Sequence, residues 1–276
     1  QLAYHKYMIY DEDYMNNEFE LDGLFLNPKL SFGWTFDENA NIYASFASVK
    51  REPRLKNYYD AAESSGGEVP LFQKKENGNY DFSSPLVKPE TMNDFELGVK
   101  YSNDGLDVSL NLFYMVFSDE IIKNGKLDQF GQPKTGNMDG TLHRGAELSL
   151  KYEIWDDLNL ISNLSYSRNT ITDGYYFFEG ETGSVEKLDM KNNTIGGFPE
   201  VIINAILRYS SSNINIELYG KYLSESYSDN FGKNLTEYRK KYPGITSYDD
   251  NRVDSYFTVG AGFSARLPLS GYLQGL

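Results

Sequence analysis

The sequence predicts an all-β fold, an antiparallel transmembrane β-barrel, and three observations carry that expectation. Apolar and polar residues alternate with period two through many segments. Tight polar turns and long polar connections take turns along the chain. Aromatic residues supply 15% of the 276 positions, as 23 Tyr and 17 Phe against 2 Trp. A strand crossing lipid shows apolar residues to the bilayer and polar ones to the lumen, and its aromatic girdles enrich Tyr and Phe. Averaging hides such a signal. Mean hydropathy is −0.54, and no apolar run reaches the ~18 residues of a membrane helix.

Alternation is clearest in Leu106, Val108, Leu110, Leu112 and Tyr114, which enclose Asp107, Ser109 and Asn111. Phe95, Leu97, Val99 and Tyr101 enclose Glu96, Gly98 and Lys100. Ala146, Leu148, Leu150, Tyr152 and Ile154 alternate with Glu147, Ser149, Lys151 and Glu153, and Ile214, Ile216, Leu218 and Tyr222 with Asn215, Glu217 and Lys221. A helix needs apolar residues three and four apart, and these segments lack them. The criterion places about ten strands, near 2–11, 25–36, 41–53, 89–102, 106–122, 138–154, 158–172, 198–210, 214–228 and 253–268.

The connections set the topology. Asp37 to Ala40, Asn103 to Gly105, Asp156–Asp157 and Ser211–Ser212 are tight turns of the expected residue types. Long connections fall near 12–24, 54–88, 123–137, 173–197 and 229–252. Short turns at one end and long loops at the other are the signature of a barrel with periplasmic turns and extracellular loops. Trp34, Phe36, Tyr43, Tyr101, Tyr152, Trp155 and Tyr209 crowd the short-turn end, where an aromatic ring sits in the headgroup layer.

Charge and motifs exclude other classes. Lys and Arg number 26 against 40 Asp and Glu, a net charge of −14, which argues against nucleic acid as a partner. Without cysteine there is no disulfide, thiolate metal site or thiol nucleophile. Gly-x-Ser-x-Gly and phosphate-loop motifs are absent. His5 and His143 lie far apart in sequence, His143 beside Arg144 marking the upper end of a strand. No catalytic residue, metal site or cofactor is expected. Asp11, Glu12, Asp13, Glu18, Glu20 and Asp22 form an acidic loop with no basic residue between 11 and 24. Their spacing does not match an EF-hand, and a solvated acidic loop is the expectation.

Several stretches resemble the C-terminal barrel region of TonB-dependent outer-membrane receptors. They are Asn27-Pro28-Lys29-Leu30-Ser31-Phe32-Gly33-Trp34, Ile42-Tyr43-Ala44-Ser45-Phe46 running into Arg51-Glu52-Pro53, and Lys88-Pro89-Glu90 leading to Asp94-Phe95-Glu96-Leu97-Gly98-Val99-Lys100-Tyr101. Arg144-Gly145-Ala146-Glu147-Leu148-Ser149-Leu150 and Phe198-Pro199 follow, and order and spacing carry more weight than any one motif. The resemblance implies energised uptake of a scarce ligand, of the siderophore-iron, cobalamin or glycan class, without chemistry on the ligand. It also implies a bacterial outer-membrane location and contact with lipid and lipopolysaccharide. Such barrels have ~22 strands and a plugged lumen. Residues 1–276 are therefore expected to be part of a barrel, with the plug and the TonB-contacting segment in a missing N-terminal region.

Recognition is expected in the long loops, where a rigid barrel holds exposed rings. The candidates for contact with a small molecule or oligosaccharide are Tyr58, Tyr59, Tyr80, Tyr175, Tyr176, Phe177, Tyr238 and Tyr242. The alternative for these rings is packing of the loops on one another. Arg239-Lys240-Lys241 is either a contact for an anion such as lipopolysaccharide phosphate or a solvated charge run. For the whole chain, the alternatives are a passive porin of ~16–18 strands and a soluble sugar-binding or adhesive β-protein.

Overall fold

A computed structural model of the chain describes residues 1–9, 19–54, 57–60, 69–127, 133–180 and 183–266. Nine strands form one antiparallel sheet in the order in which the chain makes them. We number the long strands β1 (Leu2–Ile9), β2 (Phe19–Leu26), β3 (Lys29–Asp37), β4 (Ala40–Arg51), β5 (Glu90–Asn103), β6 (Leu106–Leu127), β7 (Pro133–Trp155), β8 (Leu158–Asp173), β9 (Val201–Ser210), β10 (Ile214–Leu223) and β11 (Tyr256–Ala265). Each strand from β3 to β11 pairs with its sequence neighbour, and β3 and β11 are the sheet's unpaired edges. The barrel is not closed, and among the described residues no plug-like domain is present. Among the described residues no helix is long and apolar enough to cross a membrane.

Register turns the alternation of single strands into two faces. One row of directly paired residues runs Trp34, Ile42, Val99, Leu110, Leu148, Leu164, Ile203, Tyr222, Phe257 across all nine strands. The adjacent row, one residue along, runs Thr35, Asn41, Lys100, Ser109, Ser149, Asn163, Asn204, Lys221, Thr258. The first is apolar throughout and the second polar throughout. Side chains of consecutive residues point to opposite faces, so one face is built for lipid and the other for water. Leu97, Leu112, Leu218 and Val259 are all exposed on the apolar face. On the polar face Asn204 donates to Asn163 at 2.7 Å, and Arg208 pairs with Glu217 at 2.6 Å.

Tyr43 corrects one expectation. It belongs to the polar face and not to the short-turn girdle, because it stands one residue out of phase with Trp34 and Ile42. Its ring covers Gly98, where an added Cβ would lie 2.3 Å from it, and its hydroxyl donates to Asn111 at 2.9 Å. An aromatic ring laid over a cross-strand glycine lets a curved sheet keep its packing. Phe113 covers Gly145 in the same way. Trp34, Phe36, Tyr101, Tyr152, Trp155 and Tyr209 are exposed as the girdle requires.

The long connections hold more structure than alternation alone predicts. Phe19–Leu26 is a strand that pairs with β1, where a loop over 12–24 was expected; Tyr10, Asp11, Glu12, Asp13 and Glu18 lie outside the described residues. Pro28, lacking an N–H, breaks the expected 25–36 strand. The Asn27 side chain accepts from the Lys50 N–H at 2.8 Å and bridges that break. Most of the expected 123–137 loop is strand, because β6 and β7 run on as a hairpin of 22 and 23 residues. At ~3.3–3.4 Å per residue, such strands project well beyond a bilayer. The 173–197 connection contains a hairpin, Tyr175–Glu179 with Val185–Asp189, and the 229–252 connection a 3-10 turn and helix α1 (Leu235–Lys241). The observed β9 and β10 are shorter than the expected 198–210 and 214–228, and residues beyond 266 of the expected 253–268 strand lie outside the description.

The face assignment predicts opposite outcomes for neighbouring rows. Leu110→Arg should cost ~2–4 kcal/mol near the bilayer midplane, read from denaturant titrations of the barrel in lipid vesicles. Ser149→Arg, on the polar face, should change that midpoint little. Equal penalties for the two variants would contradict the assignment.

Candidate ligand-capture surface

The connections β4–β5, β6–β7, β8–β9 and β10–β11 emerge at the end of the sheet opposite the tight turns, and two apolar cores among the described residues organise them. The larger is formed by Met138, Ile171, Leu188, Met190, Ile195, Phe231, Leu235 and Ile245, with Tyr176, Phe178, Tyr238, Tyr242 and Tyr248 packed against it. The smaller joins Tyr58, Phe72 and Val87 to Tyr7, Leu21, Tyr80 and Phe82. Strand periodicity decides the fate of the Tyr175–Phe178 run. Tyr176 and Phe178 turn inward, and Tyr176 meets the Phe231 ring at 5.0 Å. Tyr175 and Phe177 turn outward, exposed by 42% and 54%.

The eight candidate rings therefore divide. Tyr58 is buried, and Tyr80 lies against the same core. Tyr176, Tyr238 and Tyr242 are partly buried in the larger core, leaving Tyr175 and Phe177 exposed. The Tyr59 side chain lies outside the described residues. A cavity of about 230 Å³ is lined by Tyr175, Tyr176 and Phe177 together with Ile122, Met138, Met190 and Phe231. Pockets that enclose small ligands run to ~300–1,000 Å³, so this one seats part of a ligand against its rings and does not enclose it. Asn137 and Asn230 also line it, their amides engaged by backbone groups of Lys88, Asp119, Lys123 and Gly196.

Buried polar groups that sequence reading missed hold the larger core in place. The Asn193 amide donates to the Asn230 carbonyl at 3.0 Å, while its oxygen accepts from Asn234 at 2.8 Å and from the Tyr238 hydroxyl at 2.9 Å. Asp229 accepts from the Phe231 N–H at 2.8 Å, Asn251 at 2.7 Å and the Tyr248 hydroxyl at 2.6 Å. Buried polar groups must be paired in this way, since each unpaired one costs ~1–3 kcal/mol. Asn193 and Asp229 read as ordinary loop residues in the sequence, and nothing local marks them.

Between the cores, β6 and β7 carry a second network. Asp119 has φ 54, a left-handed backbone uncommon for a residue with a Cβ. Glu120 then reaches back to accept from the Thr141 hydroxyl and to meet His143 Nε2 at 3.0 Å. His143 Nδ1 faces Asn169 at 2.8 Å, and Phe117 and Phe198 flank the ring. His5 pairs instead with Glu52 at 2.9 Å. Lys88 joins Asp119 at 3.0 Å, and that hydrogen bond and charge raise the Lys88 pKa above its ordinary value. Arg239, Lys240 and Lys241 form the last turn of α1, where positive charge complements the helix dipole. Of the acidic 11–24 run, Glu20 and Asp22 are described; Glu20 pairs with Lys6 at 2.8 Å and Asp22 is exposed.

A membrane-spanning β-sheet with an elaborated rim at one end defines a class, the walls of outer-membrane barrels. The family model described as TonB dependent receptor-like, beta-barrel matches residues 5–274, and the chain belongs to that family, whose members lie in the bacterial outer membrane. Solved structures agree in fold. The copper transporter OprC superposes with a TM-score of 0.62 at 11% identity, over 91% of this chain and 32% of its own. The FrpB iron transporter from Neisseria meningitidis gives 0.61 at 16%, over 96% and 35%. The ferric yersiniabactin uptake receptor FyuA from Yersinia pestis gives 0.57 at 14%, over 90% and 30%. The chain thus spans about a third of the length of these structures. A comparison with curated protein sequences finds no match.

The loop cores carry a pH prediction. Burial raises the Tyr58 phenol from its ordinary 10 to about 12, the charges of Tyr7 and Glu52 adding to the effect. Tyr248 is also raised, first by burial and then by donating to the charged Asp229. A raised phenol stabilises the fold fully below pH 10 and loses that contribution as pH climbs through the folded-state value, for Tyr58 between 10 and about 12. Limited proteolysis should therefore open the loop cores above pH 10 while the sheet persists. Tyr248→Phe should flatten that alkaline loss around residues 226–253, and an unchanged pH profile would contradict the Asp229 contact.

Proposed function

We propose that residues 1–276 form one segment of barrel wall and extracellular rim in a larger receptor, which captures a scarce ligand and takes it up with energy from the TonB system. The observation that carries this reading is the aromatic cavity at the loop end of a family-typical barrel wall, with Tyr175 and Phe177 exposed at its mouth. A metal chelate of the siderophore class is the favoured ligand, ahead of cobalamin or glycan. It is supported by solved neighbours named for copper, iron and ferric yersiniabactin. Flat, amphipathic chelates suit exposed rings. No chemistry on the ligand is proposed, and the TonB contact is assigned to the N-terminal region of the receptor. Family membership favours this reading over a porin or a soluble lectin-like protein.

In this reading Tyr176, Tyr238, Tyr242, Tyr58 and Tyr80 shape the surface, and Tyr175 and Phe177 touch the ligand. The double variant Tyr175→Ala/Phe177→Ala in the whole receptor should weaken binding of a recognised ferric chelate about tenfold, the equivalent of ~1.4 kcal/mol. Quenching of intrinsic fluorescence on titration measures it. Both side chains are exposed, so heat-modifiable gel mobility should stay normal. Undiminished affinity would remove this mouth from the capture site.

A further inference from the structure

The ring of His143 is held between two oxygens. Its Nε2 meets Glu120 Oε2 at 3.0 Å, and its Nδ1 meets Asn169 Oδ1 at 2.8 Å. The other side of the Asn169 amide fixes its orientation, because its nitrogen donates to Ser167 Oγ at 3.2 Å. Glu120 Oε2 also accepts from the Thr141 hydroxyl, as a carboxylate does. A neutral imidazole has one N–H and one lone pair, so it satisfies one of two such acceptors. Its lone pair would then face an oxygen lone pair. A ring that donates from both nitrogens is an imidazolium, and its bond to Glu120 is charge-assisted.

The surroundings keep water from replacing a missing donor. His143, Asn169 and Thr141 are buried, and Phe117 and Phe198 close on the ring edge-on. Other charges stand apart or are engaged. Asp119 is paired with Lys88, and Glu90 on β5 with Arg51. Asp94 and Lys29 lie two and four strands away along the row of His143, and Glu147 lies four residues down β7 on the same face. Arg144 and Arg168 are one residue out of phase and belong to the opposite face. Asn169 bears more than the ring. Its carbonyl accepts from the Ile195 N–H at 3.0 Å, and the Ile171 N–H donates to the Asn193 carbonyl at 2.9 Å. These bonds hang the Asn193 clasp on the upper end of β8, from which Gly174 leads into the hairpin of Tyr175 and Phe177.

We infer that Glu120, His143 and Asn169 form a proton-dependent latch beneath the larger loop core. With one proton taken from water onto the ring, the upper ends of β6, β7 and β8 are tied together. Rising pH returns that proton to water, leaves one acceptor without a donor and loosens the 190–197 connection. Histidine ordinarily changes charge between ~pH 5 and 8, below the alkaline window of Tyr58 and Tyr248. The latch goes beyond the capture reading and does not depend on which ligand the mouth holds.

The test uses the whole receptor in detergent micelles, its histidines labelled with nitrogen-15 for NMR. At ~pH 5 both ring nitrogens of His143, identified by their loss in His143→Gln, should read as N–H. Hydrogen–deuterium exchange, corrected for its intrinsic pH dependence, should show the 190–197 amides opening about tenfold more at ~pH 8 than at ~pH 5. Glu120→Gln separates a proton latch from a structural contact. Its amide donates to the lone pair of a neutral ring, whose remaining N–H then serves Asn169, so exchange should stay low at both pH values. A single N–H on the His143 ring at ~pH 5 would overturn the latch. So would wild-type exchange that ignores pH, and so would Glu120→Gln exchange that keeps the wild-type dependence or is high throughout. The exchange measurement on wild type needs no substitution, so it stands if a variant folds poorly.

Discussion

The absence of water at the centre of a bilayer is the constraint from which the rest of this structure follows. Every backbone N–H and C=O in that slab must be paired inside the sheet. The strands from β4 to β10 meet the demand in the most local way, each bonded on both sides to its sequence neighbours through a tight turn or a long loop. With backbone pairing set, the two faces diverge. The Leu110 row meets lipid and the Ser109 row meets water, although the two are one residue apart on the same strand. A one-residue slip in any strand would exchange the faces, and the nine-strand continuity of both rows holds the register.

Above the apolar band the constraint relaxes and different physics takes over. Beyond that band, β6 and β7 continue into solvent, where irregular backbone is tolerated. Asp119 adopts a left-handed conformation there, and the register of β7 with β8 shifts between Gly140 and Thr141. Polar groups buried at this level are satisfied by side chains and not by the ladder. Glu120, Thr141, His143 and Asn169 bond one another, and Asn193 and Asp229 tie the loops together. The rim is thereby a set of small apolar cores with polar clasps, and it gives the exposed Tyr175 and Phe177 a fixed platform.

Much of the wall was legible because period-two alternation is local. Residues 106–114 and 146–154 announce both their strands and their faces, and Asn103 to Gly105 announces the turn between its neighbours. Departures came where a local signal was ambiguous. Phe19-Glu20-Leu21-Asp22 alternates, yet the surrounding acidic run reads as loop. Tyr43 stands beside a turn like the girdle aromatics, and only the phase of its pairing with Gly98 places it on the polar face. Gly125, Gln132 and Pro133 punctuate 123–137 as a loop, while cross-strand pairing with a long partner keeps most of it extended.

By itself the sequence determined the antiparallel barrel class, the alternation of short turns with long loops and the residues facing lipid, because each follows from spacing of two to a few residues. Tertiary structure decided which aromatics are buried and which are free. Tyr175 and Tyr176 are adjacent and chemically alike, and only the direction of the larger core sends one outward and the other inward. It also decided the Asn193 and Asp229 clasps. Those depend on contacts between distant residues, and distance along the chain says nothing about which side chains the register brings together.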